Sequence, residues 1–189
     1  MRVYKDDPSQ VYDGHLADLV ERIVTIEQPI HEEEVGRRLA HVCGLQRAGN
    51  RIQAAAKRGL VFARAKNTLT ADGHFWSVAG GAEIEPRSRA DLASAETVRK
   101  PELISGVEFA AAARIALRQN LALSDDELVV ETARLIGLAR VGEFVRQAIE
   151  DAIEEHLSGE LERDHLDRLK LKPEPKEGAH DPGPNEIPD

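Results

Sequence analysis

The chain has 189 residues, which allows one ordinary domain or two small ones. Aromatic residues make up only 4% of it, which argues against the stacking surfaces of single-strand nucleic-acid binders, and a single cysteine excludes both an internal disulfide and a multi-cysteine zinc site. The net charge of −9 is unevenly spread, because residues 1–80 carry 11 basic and 10 acidic side chains whereas residues 81–189 carry 14 and 24. Local charge is therefore a better guide to partners than the total.

No segment has the composition of a membrane span or a secretory signal. The longest apolar stretch, residues 107–117, is interrupted by Glu108 and Arg114, and no run approaches the ~20 residues that a bilayer requires. The first seven residues lack the apolar core of a signal peptide. We therefore expect a soluble cytoplasmic protein without a membrane partner.

An internal repeat divides the chain. Gly44-Leu-Gln-Arg-Ala-Gly49 returns as Gly137-Leu-Ala-Arg-Val-Gly142, an offset of 93 residues. The same offset aligns apolar positions over about 30 residues around this motif. Two modules of similar architecture are predicted.

The domain layout follows from the repeat and from composition. We predict module 1 at residues 1–80, a linker at 81–101 and module 2 at 102–172. Residues 173–189 are rich in proline and acidic, and they are predicted to form a disordered tail.

Each module is predicted to contain three helices, and module 1 a β-hairpin after them. The first helices lie at residues 16–26 and 108–121, and the third helices at about 47–58 and 140–157. The predicted fold class is mainly α, with two tandem winged-helix-like (helix-turn-helix) modules and a small β wing.

Capping signals mark the second helices. Ser124-Asp-Asp-Glu127 has the spacing of a capping box, and His31 with Glu34 repeats it in module 1. Left-handed glycines are expected where these helices end, at Gly44 and Gly137.

The hairpin of module 1 is predicted from residues 60–66, a turn at 67–73 and a return strand at 74–78. In module 2, residues 158–172 form either a short hairpin or an extension of the third helix. Gly49 and Gly142, near the start of the third helices, are expected to permit close helix packing, so that Gly49→Val would destabilise module 1.

The third helix of module 1 is predicted to carry a basic outward face. Residues 44–70 hold six basic side chains and no acidic one, and the helical period places Ile52 and Ala55 on the opposite, inward side. In a winged helix this face enters the major groove while the wing contacts phosphates. The alternatives are contact with an acidic protein surface, or a solvated face without a specific role. The candidate DNA-binding residues are Arg47, Asn50, Arg51, Lys57 and Arg58 on the helix, and Arg64 and Lys66 on the wing.

The same positions in module 2 are acidic or aromatic. Arg51 aligns with Phe144, and Lys57 aligns with Glu150. Phosphate would repel such a face, which suits a protein surface instead, either module 1 or another domain. The candidate partner-binding residues are Glu143, Phe144, Glu150 and Asp151.

No catalytic residue is predicted. His31-Glu-Glu-Glu-Val35 lacks the second histidine of a zinc-protease helix, so we interpret it as a helix start. Cys43 aligns with the apolar Ile136 and is predicted to be a buried structural thiol. We expect no enzyme activity, no cofactor and no metal site.

Four motifs together resemble the DUF3320 domain, over about residues 12–163. They are Pro29-Ile-His-Glu-Glu-Glu-Val35, Gly44-Leu-Gln-Arg-Ala-Gly-Asn-Arg-Ile52, Phe75-Trp76 and Arg99-Lys-Pro-Glu-Leu-Ile104. That domain occurs at the C-terminus of large bacterial proteins related to DNA helicases, with a superfamily 1 type motor and often a nuclease-like domain upstream. The resemblance implies this context and assigns no function of its own.

The leading hypothesis combines this resemblance with the basic helix. It is a non-enzymatic DNA-binding accessory module whose module 1 contacts duplex or junction DNA, with a helicase or ATPase motor domain as a partner in cis or in trans. The chain lacks the Gly-x-x-x-x-Gly-Lys-Ser/Thr phosphate loop of such motors, so it is either a stand-alone relative or a C-terminal piece. The alternative hypothesis is a protein-interaction or scaffolding module that docks on a motor.

Overall fold

Two units of three helices and a β-hairpin follow one another along the chain. The computed structural model describes residues 8–81, 84–90 and 100–173. The elements of module 1 are α1 (Asp13–Glu27), β1 (Ile30–His31), α2 (Glu32–Val42), α3 (Asn50–Ala65), β2 (Leu69–Asp72) and β3 (Phe75–Val78). The elements of module 2 are α4 (Gly106–Asn120), α5 (Asp125–Ile136), α6 (Glu143–Leu157), β4 (Leu161–Arg163) and β5 (Leu169–Leu171). The described part of the chain is mainly helical, as predicted.

In each module the residues before the second helix pair with the last strand. The sheet of module 1 has the order β1-β3-β2, with Ile30 opposite Trp76. In module 2, β4 pairs with β5, and Leu123 forms a single antiparallel bridge with Leu169. Residues 158–172, for which the sequence leaves two possibilities, therefore include a hairpin.

Each module encloses its own apolar core. In module 1, Leu39 of α2 and Leu60 of α3 are fully buried in one cluster with Trp76 of β3. In module 2, Phe109 of α4 packs in a cluster with Ile149 of α6, and a second cluster joins the helices to the hairpin. Because the apolar side of each third helix is buried in its core, the other side of that helix faces solvent.

The predicted signals at the second helices are largely confirmed. The Ser124 hydroxyl accepts a hydrogen bond from the Glu127 N–H at 3.4 Å, and the Glu127 carboxylate accepts one from the Ser124 N–H at 2.8 Å. Gly44 and Gly137 follow their helices with φ of +75° and +82°, the left-handed conformation that favours glycine. Local sequence therefore determines where α2 and α5 stop.

The start of α2 departs from the predicted capping box. The Nδ1 atom of His31 accepts a hydrogen bond from the Glu33 N–H at 3.3 Å. Glu34 is buried and forms ion pairs with Arg37 and Arg38, so it does not complete a box. Because Nδ1 accepts only when it is unprotonated, this cap requires a neutral imidazole.

The His31 cap predicts that module 1 loses stability in mild acid. Burial lowers the pKa of His31 from 6.5, and the nearby Glu33 carboxylate opposes that shift. The native state therefore binds fewer protons than the unfolded state, and stability falls as the pH drops through 6.5 and below. In urea unfolding at about pH 7 and pH 5, we expect a shallower decline for His31→Asn, which keeps a capping acceptor without a titrating ring. An equal decline for both proteins would contradict a role for this imidazole.

Helix α3 is longer than predicted. The sequence predicts a helix over 47–58 and a strand over 60–66, but one helix continues to residue 65. Leu60 and Ala63 are fully buried and extend the inward stripe that begins at Ile52. The predicted strand is wrong, because burial of these two side chains overrides the strand propensity of the Val-Phe pair between them. The hairpin lies further along the chain, at β2 and β3.

Gly59, rather than Gly49, permits close packing of two helices. A Cβ atom at Gly49 or Gly142 would have no neighbour within 4 Å, so the steric role expected for these glycines is wrong. Both are N-cap residues with extended backbone. A Cβ atom at Gly59 would lie 2.9 Å from the backbone C and O atoms of Leu16 on α1. The α1–α3 contact therefore requires the absence of a side chain at residue 59.

Gly59→Ala is expected to lower the free energy of unfolding by about 1–3 kcal/mol, because α1 must move away from the new methyl group. This loss occurs although alanine is the better helix former. Gly49→Ala is the matched control, and its effect is expected to stay below about 1 kcal/mol. Urea denaturation measures both, and equal midpoints for the two variants would contradict the steric account.

Residues 84–90, within the predicted linker, pack between the modules. Arg89 is 1% exposed, and its guanidinium donates two hydrogen bonds to the Glu108 carboxylate on α4, at 2.8 and 2.7 Å. The Arg89 N–H also donates to the carbonyl of Ile136 at 2.8 Å. Arg87 donates its N–H to Glu108 at 2.9 Å and its guanidinium to the carbonyl of Pro29 in module 1 at 2.9 Å. The segment therefore ties module 1 to module 2.

The predicted tail at residues 173–189 lies outside the described residues from residue 174 onward, as does the linker segment 91–99. Within the described ranges, the helices are either too short or too polar to cross a bilayer.

Candidate nucleic-acid interface

Four of the five DNA-binding residues that were predicted on the third helix lie on the outward face of α3. Ile52 and Ala55, on the inward side, are buried in the core of module 1. The predicted residues are exposed, one of them in the loop before α3 and the others on the helix: Arg47, Asn50, Arg51, Lys57 and Arg58. Core packing thus directs the four residues on the helix toward solvent, as predicted from the helical period. The predicted start of the helix at about residue 47 is wrong, so Arg47 lies in the preceding loop.

The start of α3 is electropositive. Its N-cap is Gly49, which provides no side-chain hydrogen bond to the first N–H groups of the helix. Uncapped N–H groups and the positive end of the helix dipole both favour an anion at this end. Arg47 borders a concavity of about 620 Å³ that it shares with Arg37, Arg38 and His41 of α2. These neighbours were not predicted from the sequence. Three glutamates offset the charges of Arg37 and Arg38.

Arg64 and Lys66 do not lie on the wing, which corrects the predicted position of both. Arg64 is in the last turn of α3 and Lys66 is its C-cap, with the ammonium 5.2 Å from the centre of the Phe62 ring. The hairpin turn carries His74 instead, whose Nδ1 lies 3.1 Å from Glu32 Oε1 at the start of α2. The two cations are misplaced in the prediction because α3 extends through the residues assigned to a strand. Arg64 extends the basic face to the last turn of the helix, and Lys66 adds an exposed cation at its end.

The middle of α3 has carboxylates nearby. Arg58 donates from Nε to Asp13 Oδ1 at 2.9 Å and from Nη2 to the carbonyl of Val11 at 2.8 Å. Lys57 borders a cavity that it shares with two glutamates at the start of α2. Local acids therefore offset part of the positive charge in the middle of the helix.

The partner-binding residues predicted in module 2 are all exposed on α6, but they form two adjacent faces. Phe144 is 88% exposed. Helical geometry separates the direction of Phe144 and Asp151 by about 100° from that of Glu143 and Glu150. The exposure of Phe144 also means that module 1 of the same chain does not cover its ring. The sequence left module 1 or another domain as the surface that Phe144 contacts. Its exposure leaves a surface outside module 1 of its own chain.

Neither Cys43 nor the described His, Asp and Glu side chains have an arrangement that is typical of a catalytic or metal site. Cys43 is half-buried against the core of module 1, and burial raises the pKa of its thiol. The thiolate is therefore disfavoured, which does not suit a nucleophile. Among the residues that the structure describes, no group of three or more His, Cys, Asp and Glu side chains is placed to hold a metal ion.

An apolar cleft beside the basic face was not predicted from the sequence. This α1–α3 cleft has a volume of about 410 Å³ and lies between the start of α1 and the outward side of α3. Val61 on its wall is 56% exposed. The cleft was missed because residues 60–66 were assigned to a strand, which would have separated them from the helix. It is lined by Asp13, Ala54, Lys57, Arg58, Val61, Phe62 and Ala65.

One family model matches part of the chain. Residues 6–54 match the family model described as "Protein of unknown function (DUF3320)". The matched segment contains α1, β1, α2 and the first residues of α3, with Arg47 and Arg51 among them. The match confirms the DUF3320 resemblance over this segment. No curated protein and no solved structure matches the chain.

Proposed function

We propose that this chain is a non-enzymatic DNA-binding accessory module of a helicase-type protein, built from two tandem winged-helix-like modules. Module 1 contacts duplex or junction DNA through α3, while module 2 offers a surface to proteins. The DUF3320 resemblance supports a helicase or ATPase motor domain as the partner, in cis or in trans.

The order of elements supports the winged-helix interpretation. In module 1 a helix, a short strand, two helices and two strands follow one another, and the first strand pairs with the last. Module 2 repeats this order, with the Leu123–Leu169 bridge in place of the first strand. In helix-turn-helix proteins of this kind, the helix at the position of α3 enters the major groove.

The observation that carries the proposal is the series of exposed cations along α3. The 16 residues of the helix extend about 24 Å at 1.5 Å per residue, a length over which duplex DNA presents several phosphates. Asn50 and Arg51, at the start of the helix, have side chains that can hydrogen-bond to base edges. The cations proposed to contact phosphates are Arg47, Arg51, Lys57, Arg64 and Lys66.

A protein-interaction or scaffolding module that docks on a helicase motor is the second candidate function. The exposed Phe144 and the apolar α1–α3 cleft favour it, because apolar groups exposed on a polar surface often mark protein contacts. The basic face of α3 would then meet an acidic protein surface.

Direct binding to DNA separates the two candidates. Fluorescence anisotropy of labelled duplex and forked DNA is measured as the full chain is added at low salt, with a single-stranded oligonucleotide of equal length as the control for the requirement of a duplex. We expect saturable binding to duplex or forked DNA that is tighter than binding to the single strand. The absence of binding to either substrate would contradict the DNA proposal and favour the scaffold.

A further inference from the structure

One aromatic side chain is almost fully exposed on module 2. Among the described residues, Phe144 has the greatest exposure of any large apolar side chain, at 88%. It lies in the first turn of α6, where no neighbouring element covers it. Because transfer of an aromatic ring out of water is favourable, this position is suited to insertion into an apolar recess.

The α1–α3 cleft of module 1 has the size and lining of such a recess. Its volume of about 410 Å³ is sufficient for an aromatic ring. Ala54 and Ala65 leave space along the outward side of α3, and Val61 and Phe62 supply apolar contact. The cleft therefore offers an aromatic side chain a surface that stays open among the residues that the structure describes.

Charge makes the two surfaces complementary. Lys57 and Arg58 border the cleft, and Arg58 is held in place there by its ion pair with Asp13. Phe144 is preceded by Glu143, and Asp151 lies two turns further along the same side of α6. The acidic side of α6 that carries Phe144 therefore matches in charge the two cations that border the cleft, of which Arg58 is partly offset by Asp13.

We propose that Phe144 of one copy of this chain inserts into the α1–α3 cleft of a second copy. The two surfaces are different, so the contact is head-to-tail and leaves one free cleft and one free Phe144 at the ends of each assembly. The contact does not rest on DNA binding, although both would use the outward side of α3.

Sedimentation of the full chain from micromolar to near-millimolar concentration tests the contact. The weight-average mass of the wild-type protein is expected to rise above that of the monomer. Phe144→Ala is expected to weaken association by at least about tenfold, as truncation of a central aromatic contact does. The matched control is Ile26→Ala, which truncates an exposed apolar side chain on α1 instead of α6. This variant is expected to associate like the wild type. A wild-type chain that stays monomeric, or equal association by Phe144→Ala, would overturn the proposal.

A mixture of two variants tests the head-to-tail geometry. Ala54→Glu places a carboxylate in the cleft and is expected to abolish association, whereas Ala139→Glu adds the same charge at an exposed site of module 2 and is expected to have no effect. Ala54→Glu retains Phe144 and Phe144→Ala retains the cleft, so a mixture of these two variants is expected to form a heterodimer. A mixture that stays monomeric would overturn this geometry. Circular dichroism of each variant establishes that loss of association is not loss of folding.

Discussion

Replacing Glu108 with alanine is expected to lower the free energy of unfolding by about 3–5 kcal/mol. The substitution leaves the Arg89 guanidinium buried without its carboxylate, and the Nε atom of Arg89 already has no hydrogen-bond partner. Burial alone would raise the pKa of Glu108, but hydrogen bonds and charge from Arg89 and Arg87 outweigh it and lower that pKa. The carboxylate therefore stabilises the native state above its unfolded pKa, and this contribution is lost as the pH falls through the folded pKa.

Two further variants test whether the expected loss of stability comes from the buried ion pair. Glu102→Ala removes an exposed carboxylate 4.0 Å from Lys100, and it is expected to change stability by less than about 1 kcal/mol. Arg89→Met combined with Glu108→Leu removes both charges, so it is expected to be less destabilising than Glu108→Ala alone. Chemical denaturation measures all three. A loss for Glu108→Ala no larger than that of Glu102→Ala would contradict the structural role assigned to this pair.

Arg47→Ala combined with Arg51→Ala is expected to weaken DNA binding by about 30-fold or more, since each contact to a base edge or phosphate contributes about 1–3 kcal/mol. Both side chains are exposed, Arg47 in the loop before α3 and Arg51 in its first turn, so folding should be preserved. Fluorescence anisotropy with labelled duplex measures the affinity, and a thermal melt checks the fold.

The equivalent change in module 2 is the matched control. Glu143→Ala combined with Glu150→Ala removes two exposed charges from α6, and it is expected to leave DNA affinity unchanged or raise it by removing repulsion. Equal sensitivity of DNA binding to the two double variants would contradict the division of roles between the modules.

Signals that act over a few residues allowed much of the fold to be predicted. The Ser124–Glu127 box and the glycines at 44 and 137 depend only on nearby backbone, and each lies where the sequence indicates. The end of α3 depends on the core, because Leu60 and Ala63 are buried against other elements. Local strand propensity in that segment therefore led to the wrong boundary.

The candidate site was predicted only in part, for a related reason. The helical period was enough to place Arg51 and Lys57 on the exposed side, whereas the positions of Arg47 and Arg64 depended on where α3 begins and ends. The partner of Arg58 could not be read from local spacing, because Asp13 lies 45 residues away. Glu108 did leave a signal, as a single carboxylate in an apolar helix. A buried carboxylate requires a cationic partner, but the sequence does not identify Arg89 as that partner.

The salt dependence of DNA binding tests the central claim most directly, namely that cations along α3 of module 1 contact phosphates. Contacts to about five phosphates predict that log Kobs falls with log salt concentration with a slope of about −4 to −5. The same titration with Arg47→Ala combined with Arg51→Ala is expected to give a slope smaller in magnitude by about 2. A wild-type slope near zero, or an unchanged slope in this double variant, would contradict the claim.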